Sequence, residues 1–144
     1  MTFIKLIFLA LVASFALSLL GCAHPTDGLV LGLNESQRVL TATSTILAEQ
    51  HRRARDQAVE LALSADAARV DVLAVHRDYR PKWAAYELAR RAWISAAALV
   101  SAAVLVDKSG GKPDVAAAQK AVVEVASSLQ SFAVQVRQDV RVMP

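Results

Sequence analysis

The chain has 144 residues, enough for one ordinary domain, and 55% of them are hydrophobic while 20% are charged. This composition excludes a disordered chain, and a total of five glycines argues against an ordinary all-β domain. The 28 alanines favour helices, because alanine is the best helix former. This composition predicts an all-α protein. A formal net charge of +3 is too small to indicate a polyanionic partner, so we expect no binding to nucleic acid.

The first 21 residues have the composition of a secretory leader. Lys5 is the only charged residue among them, and residues 6–20 form an uncharged run. As a helix this run would be about 22 Å long, short of the roughly 30 Å of a hydrocarbon core. We therefore expect a signal peptide over residues 1–21 rather than a permanent membrane span.

The run ends in Leu19-Leu20-Gly21-Cys22, which resembles the lipobox of bacterial lipoproteins. The resemblance implies that diacylglycerol is joined to the Cys22 thiol, that the leader is removed before Cys22, and that the new amino group receives an N-acyl lipid. Because Ala23 and not aspartate follows, it also implies, for a Gram-negative cell, the periplasmic face of the outer membrane rather than the inner membrane. We expect no cofactor beyond these lipids.

The mature chain divides into a lipidated tether over residues 22–33, rich in turn formers, and a helical domain over residues 34–144. Asn34 with Gln37 forms a capping-box-like start, so a first helix should begin at about residue 35. Two core positions then recur every seven residues, as in a coiled coil. They are Leu40, Leu47, Ala54, Leu61, Ala68 and Val75 with Ser44, His51, Ala58, Ala65, Val72 and Tyr79.

Pro81 interrupts this pattern, because proline lacks the backbone donor of a helix interior. Either one long helix kinks at Pro81, or a tight turn at 79–81 separates helices over about 35–79 and 82–107. A further alternative is a break at Ser64-Ala65-Asp66, with Asp66 capping a new helix.

Residues 107–114 read as a loop, with two glycines and Pro113 before a last helix over about 114–141. This helix should pair with residues 82–107 as an antiparallel hairpin. Residues 92–106 are uncharged, and we expect a bundle helix there rather than a membrane span. The predicted fold is an elongated helical bundle, or a coiled-coil-like long helix plus a C-terminal antiparallel helical hairpin. The apolar residues of the last helix that we expect to face the other helices are called its seam. They are Val115, Ala118, Val122, Val125, Leu129, Phe132, Val136, Val140 and Met143.

The sequence contains no arrangement typical of catalysis or of a metal site. One cysteine excludes an intramolecular disulfide, and with three scattered histidines it does not make a four-ligand zinc site. His51 and His76 would lie about 37 Å apart along one straight helix. We predict that the protein is not an enzyme and has no catalytic or metal-binding residue.

Four of the five aromatic residues after the leader lie between residues 77 and 93, at spacings that share one helical face, with basic residues between them. Tryptophan, tyrosine and arginine dominate binding hot spots, so this segment is the candidate interaction surface. The alternative is that the rings form part of the core while the basic residues are solvated. The residues proposed for the surface are Arg77, Tyr79, Arg80, Trp83, Tyr86, Arg90 and Trp93.

These observations together predict a membrane-anchored envelope lipoprotein that acts as a non-catalytic helical scaffold or protein-interaction module. Its partners would be the membrane, through the lipid anchor, and an envelope protein or a second copy. One alternative is a lipoprotein that binds a small ligand or lipid in an aromatic pocket around Trp83, Tyr86 and Trp93. Another is a phage-derived lysis or exclusion lipoprotein.

Overall fold

The computed structural model describes residues 24–137, which form three α-helices. Helix α1 spans Pro25–Leu61, α2 spans Ala65–Lys108 and α3 spans Val115–Arg137. Each helix packs against both others. The all-α helical bundle that the composition predicts is confirmed. The signal peptide, Cys22 and the last residues of the predicted third helix lie outside the described residues.

Helix α1 begins ten residues before the predicted start, so the predicted tether is wrong for residues 25–33. Pro25 occupies the first helical turn, where its missing amide hydrogen costs nothing and its fixed φ suits a helix. Leu29 and Leu33 are buried in the core. The burial of these leucines outweighs the low helix propensity of the glycines at positions 28 and 32. The prediction of a tether followed from that low propensity.

The chain breaks at residues 62–64, the position that the sequence offered only as a further alternative. Ala62 has extended backbone angles, with φ −72° and ψ 133°. Ser64 is the N-cap of α2, and its hydroxyl oxygen accepts a hydrogen bond from the Ala67 backbone N–H at 3.2 Å. Asp66 therefore lies in the first turn of α2 rather than at its cap.

Pro81 lies inside α2, so the predicted helix boundaries at residues 79 and 82 are wrong. The pyrrolidine ring is exposed. The hydrogen bond that Pro81 cannot donate is thus lost on the solvent side, where water can satisfy the Arg77 carbonyl. Of the two alternatives at Pro81, the one in which the helix continues through this residue is therefore correct.

Helix α3 begins where the sequence predicts. Gly110 has φ +78°, a conformation that favours glycine, and it turns the chain after α2. The Asp114 carboxylate accepts a hydrogen bond from the Ala117 backbone N–H at 3.0 Å. The predicted seam is confirmed from Val115, which is partly buried, through Val136, which is buried. The predicted antiparallel pairing with residues 82–107 is found as the packing of α3 on α2.

The core occupies one half of the molecule. Within residues 24–137, α3 has 23 residues and α2 has 44, so the described part of α3 accompanies only part of α2. Among the described residues, the buried apolar side chains lie between Leu29 and Leu47, between Tyr79 and Ala103, and between Ala118 and Val136. The halves of α1 and α2 next to the turn form a two-helix arm. Leu61, predicted at the seam, is exposed there because the chain turns directly after it.

Candidate functional site

The turn at residues 62–64 folds α2 back along α1 and brings His51 and His76 together. His51 Nε2 lies 3.0 Å from His76 Nδ1, although the two residues are 25 positions apart. The separation of about 37 Å applies only if one straight helix carries both residues. With Tyr79, Lys82 and Trp83 of α2, these two residues form what we call the histidine cluster.

The hydrogen bonds of the histidine cluster define the tautomers of both rings. The Trp83 indole Nε1–H donates to His51 Nδ1 at 3.2 Å. Because an indole nitrogen can only donate, His51 Nδ1 must accept, and a neutral His51 ring carries its proton on Nε2. His51 Nε2–H then donates to His76 Nδ1. Both nitrogens of His51 are therefore engaged within the protein.

Ring contacts close the cluster on the side of Tyr79. The His51 and Tyr79 rings are stacked, with centroids 4.6 Å apart and planes inclined by 13°. The ammonium nitrogen of Lys82 lies 4.0 Å from the centroid of the Tyr79 ring, within range of a cation–π interaction. Tyr79 and Lys82 are both buried. The lysine thus contributes to the packing of the cluster.

The surroundings of the cluster favour the neutral form of His51. Burial lowers the pKa of His51, and the charges that His76, Arg55 and Lys82 can carry lower it further. Burial also lowers the pKa of Lys82, against the opposing effect of Asp78, and raises the pKa of Tyr79. A neutral His51 is the form that the Trp83 hydrogen bond requires.

Both ring nitrogens of His51 are used in hydrogen bonds that connect α1 to α2. A general base or metal ligand needs a free ring nitrogen, and His51 has none because Trp83 and His76 engage both. Within residues 24–137, no three histidine, cysteine, aspartate or glutamate side chains converge as a metal site requires. The cluster joins α1 to α2 where the two-helix arm begins.

The structure separates the predicted interaction surface into an inner and an outer part. Tyr79 is buried, and the other three predicted aromatic residues, Trp83, Tyr86 and Trp93, pack against the core. The Trp83 and Tyr86 rings meet edge to face at 5.8 Å, and Tyr86 contacts Phe132 of α3 at 5.7 Å. The predicted basic residues Arg77, Arg80 and Arg90 are exposed.

Three further contacts lie toward the end of the bundle where α1 begins. The Trp93 indole N–H donates to the Leu33 carbonyl at 3.1 Å. The Thr26 hydroxyl donates to the Asp107 carboxylate at 2.8 Å, and His24 Nδ1 lies 3.8 Å from the same oxygen. The start of α1 is therefore held against the end of α2.

Helix α2 differs from the other described helices in its hydropathy. It alone among them is long and apolar enough to span a membrane, judged by length and composition. Only 22% of its most apolar stretch is buried inside the protein. Within residues 92–106, Ala96, Val100 and Ala103 pack inward, whereas Ile94 and Leu105 are exposed. This segment packs in the bundle and also presents an apolar outer side.

Comparison of the sequence with protein-family models and curated proteins, and of the fold with solved structures, found no match. The function must therefore be inferred from the residues and their arrangement.

Proposed function

We propose that the chain is a bacterial envelope lipoprotein, held in a membrane by acyl chains on Cys22, whose helical bundle is a non-catalytic scaffold. The observation that carries this proposal is Leu-Leu-Gly-Cys22 at the end of an uncharged run. Two or three acyl chains bind a bilayer far more stably than the marginal binding of one. Ala23 favours the periplasmic face of the outer membrane.

The start of α1 supports a close connection between the anchor and the bundle. Pro25 begins the helix three residues after Cys22, so no long tether separates them. With 37 residues, α1 is about 55 Å long. The turn at residues 62–64 then lies at the far end of the molecule from the anchor.

The interior of the bundle favours a scaffold over an enzyme or an aromatic ligand pocket. Both nitrogens of His51 are engaged, and the Trp83, Tyr86 and Phe132 rings contact one another. The Trp93 indole N–H is bonded to a backbone carbonyl. These groups are used in joining the three helices.

The turn is the part of the scaffold that we propose for contact with an envelope protein or a second copy. Leu61 and Leu63 are 70% and 100% exposed, and both lie at this end. Exposed leucines at the tip of a two-helix arm are typical of a surface that is covered in an assembly.

Metabolic labelling with palmitate tests the anchor. We expect label in the wild-type protein and none in Cys22→Ser, because this sulfur is the only one that a lipobox positions for acylation. Wild-type protein should stay in the membrane fraction after an alkaline wash. An unlabelled wild-type protein, or a serine variant that is retained equally, would contradict the proposal.

A photo-crosslinking side chain at position 63 tests the scaffold in cells. We expect a protein adduct there and none from the same side chain at Gln130, an exposed position on α3. Equal yields at the two positions would reject the turn as the contact surface. Far-ultraviolet circular dichroism should be unchanged in both variants, since neither position is buried.

A further inference from the structure

One exposed stripe runs along the outside of α2 for most of its length. It consists of two positions of the seven-residue repeat, and every one of its residues is exposed. The stripe covers about 52 Å of helix from its first residue to its last. Its members are Val70, Arg77, Ala84, Arg91, Ala98 and Leu105, together with Leu73, Arg80, Glu87, Ile94 and Ser101.

The composition of this stripe is apolar and cationic. Val70, Leu73, Ile94 and Leu105 are large hydrophobic residues that the bundle leaves exposed. Three arginines, at positions 77, 80 and 91, lie between the first pair of these residues and the second. The one acidic member, Glu87, pairs with Arg90 beside the stripe at 3.3 Å.

The stripe ends beside the start of α1. Leu105 is two residues from Asp107, whose carboxylate accepts the hydrogen bond of Thr26 and lies near His24. His24 is two positions after Cys22, a backbone reach of at most about 7 Å. A bilayer that holds acyl chains on Cys22 is therefore next to the apolar end of the stripe.

We infer that the outer stripe of α2 lies along an anionic phospholipid surface. Exposed arginines and large apolar side chains on one helical face are what a helix in a membrane interface presents, with guanidinium groups at phosphates and apolar groups below them. The inference rests on the proposed anchoring through Cys22, and it adds the orientation of the bundle on the membrane.

The charges of the stripe argue against a second copy as its occupant. Two such stripes packed together would bring the arginines at positions 77, 80 and 91 of one copy near those of the other. Like charges in a shared interface are unfavourable. Anionic headgroups complement the same arginines, and acyl chains complement Ile94 and Leu105.

The test uses the full-length, processed protein in vesicles of phosphatidylethanolamine and phosphatidylglycerol that contain nitroxide-labelled acyl chains. A fluorophore is attached to Leu73→Cys or Leu105→Cys, whose side-chain positions are 60% and 68% exposed. The matched controls are Ile46→Cys on α1 and Val123→Cys on α3, at 52% and 51%. We expect several-fold stronger quenching at the two stripe positions than at the controls.

Replacing the cations tests the charge complementarity. Arg77→Gln with Arg80→Gln should weaken quenching at position 73, and vesicles of phosphatidylcholine alone should weaken it equally. Arg53→Gln with Arg55→Gln, two exposed changes on α1, should leave it unchanged. Quenching that ignores both the arginines and the lipid charge would overturn the inference.

Further results would overturn the inference or separate it from the proposed function. Equal quenching at stripe and control positions overturns the inference, and so does a disulfide between copies at position 73 without quenching. Palmitate labelling that persists while the stripe is unquenched overturns this inference and leaves the proposed function standing. If palmitate labelling fails, the proposed function is wrong. The inference about the stripe is then tested with the same fluorophores on the Cys22→Ser protein bound to vesicles, and equal quenching at stripe and control positions again overturns it.

Discussion

His51 has a defined protonation state because of one neighbour that can only donate a hydrogen bond. The Trp83 indole N–H occupies Nδ1, and a proton on that nitrogen would set two donors against each other. His51 Nε2–H is then free to donate to His76 Nδ1. The connection between α1 and α2 at this point therefore depends on a neutral His51.

Stability should fall in mild acid because of this residue. The pKa of His51 is lowered from 6.5 in the folded protein, so the unfolded chain binds the proton more readily. The contribution of neutral His51 is thus present above about pH 6.5 and is lost as the pH falls toward the lower folded value. The free energy of unfolding, measured with urea, should decrease between about pH 7.5 and about pH 5.5.

His51→Gln should reduce this pH dependence, since glutamine does not titrate. Gln130→Ala, an exposed change on α3, is the control for substitution alone and should leave the dependence as it is in the wild type. A pH profile that is unchanged by His51→Gln would contradict the assignment of the acid sensitivity to the cluster.

At the scale of the helices, the decisive feature is whether Ser64 or Pro81 marks the break between two helices. Ser64 offers a side-chain cap and lies where the chain turns, whereas Pro81 lies in a segment whose inner side is well packed. Burial of Tyr79, Lys82 and Ala89 on both sides of Pro81 holds the helix together. Packing thus outweighs the local preference of proline.

Pro81→Ala should stabilise the protein, which separates the two descriptions of this segment. An exposed proline in a helix interior costs up to about 3 kcal/mol relative to alanine. We expect the variant to unfold at higher urea concentration, with an unchanged dependence on denaturant. If residues 79–81 formed a turn, proline would be favoured there and the substitution would destabilise the protein.

At the scale of the whole molecule, the core is concentrated where three helices meet and is thin where only two do. Leu47 is completely buried opposite the middle of α2, whereas Leu63 at the turn is completely exposed. The same side chain therefore has opposite surroundings at two positions sixteen residues apart. The free energy of unfolding should therefore depend mainly on residues of the three-helix half. We expect interactions with other molecules to involve the two-helix arm and the outer stripe of α2.

Leu47→Ala and Leu63→Ala form a matched pair that measures this difference. Removing a fully buried leucine side chain costs about 2–5 kcal/mol, because both burial and packing are lost. The exposed Leu63 should change the free energy of unfolding by at most about 0.5 kcal/mol. Urea unfolding of the two variants checks both values, and similar losses in the two would contradict the described core.

The shared helical face of the aromatic residues could be predicted from the sequence, but the contacts between α1 and α2 could not. The spacing of Tyr79, Trp83, Tyr86 and Trp93 correctly puts four rings on one helical face. The meeting of His51 with His76 follows only from the position of the turn, and Ser64 with an acidic residue two positions later was the signal for it. In the sequence alone, Ser64 indicates a helix break less strongly than Pro81 does. Which of the two breaks forms depends on packing between residues that are distant in sequence.

By itself, the sequence determined the helical class, the loop before α3 and the buried seam of α3, because each depends on composition or on a repeat within one helix. Only the tertiary structure decided where α1 begins and ends, that α2 continues through Pro81, and that the aromatic side chains face inward while the arginines remain outside. The physical reason is that these features depend on contacts between residues distant in sequence. Burial across a helix pair can exceed the preference of any single proline or glycine.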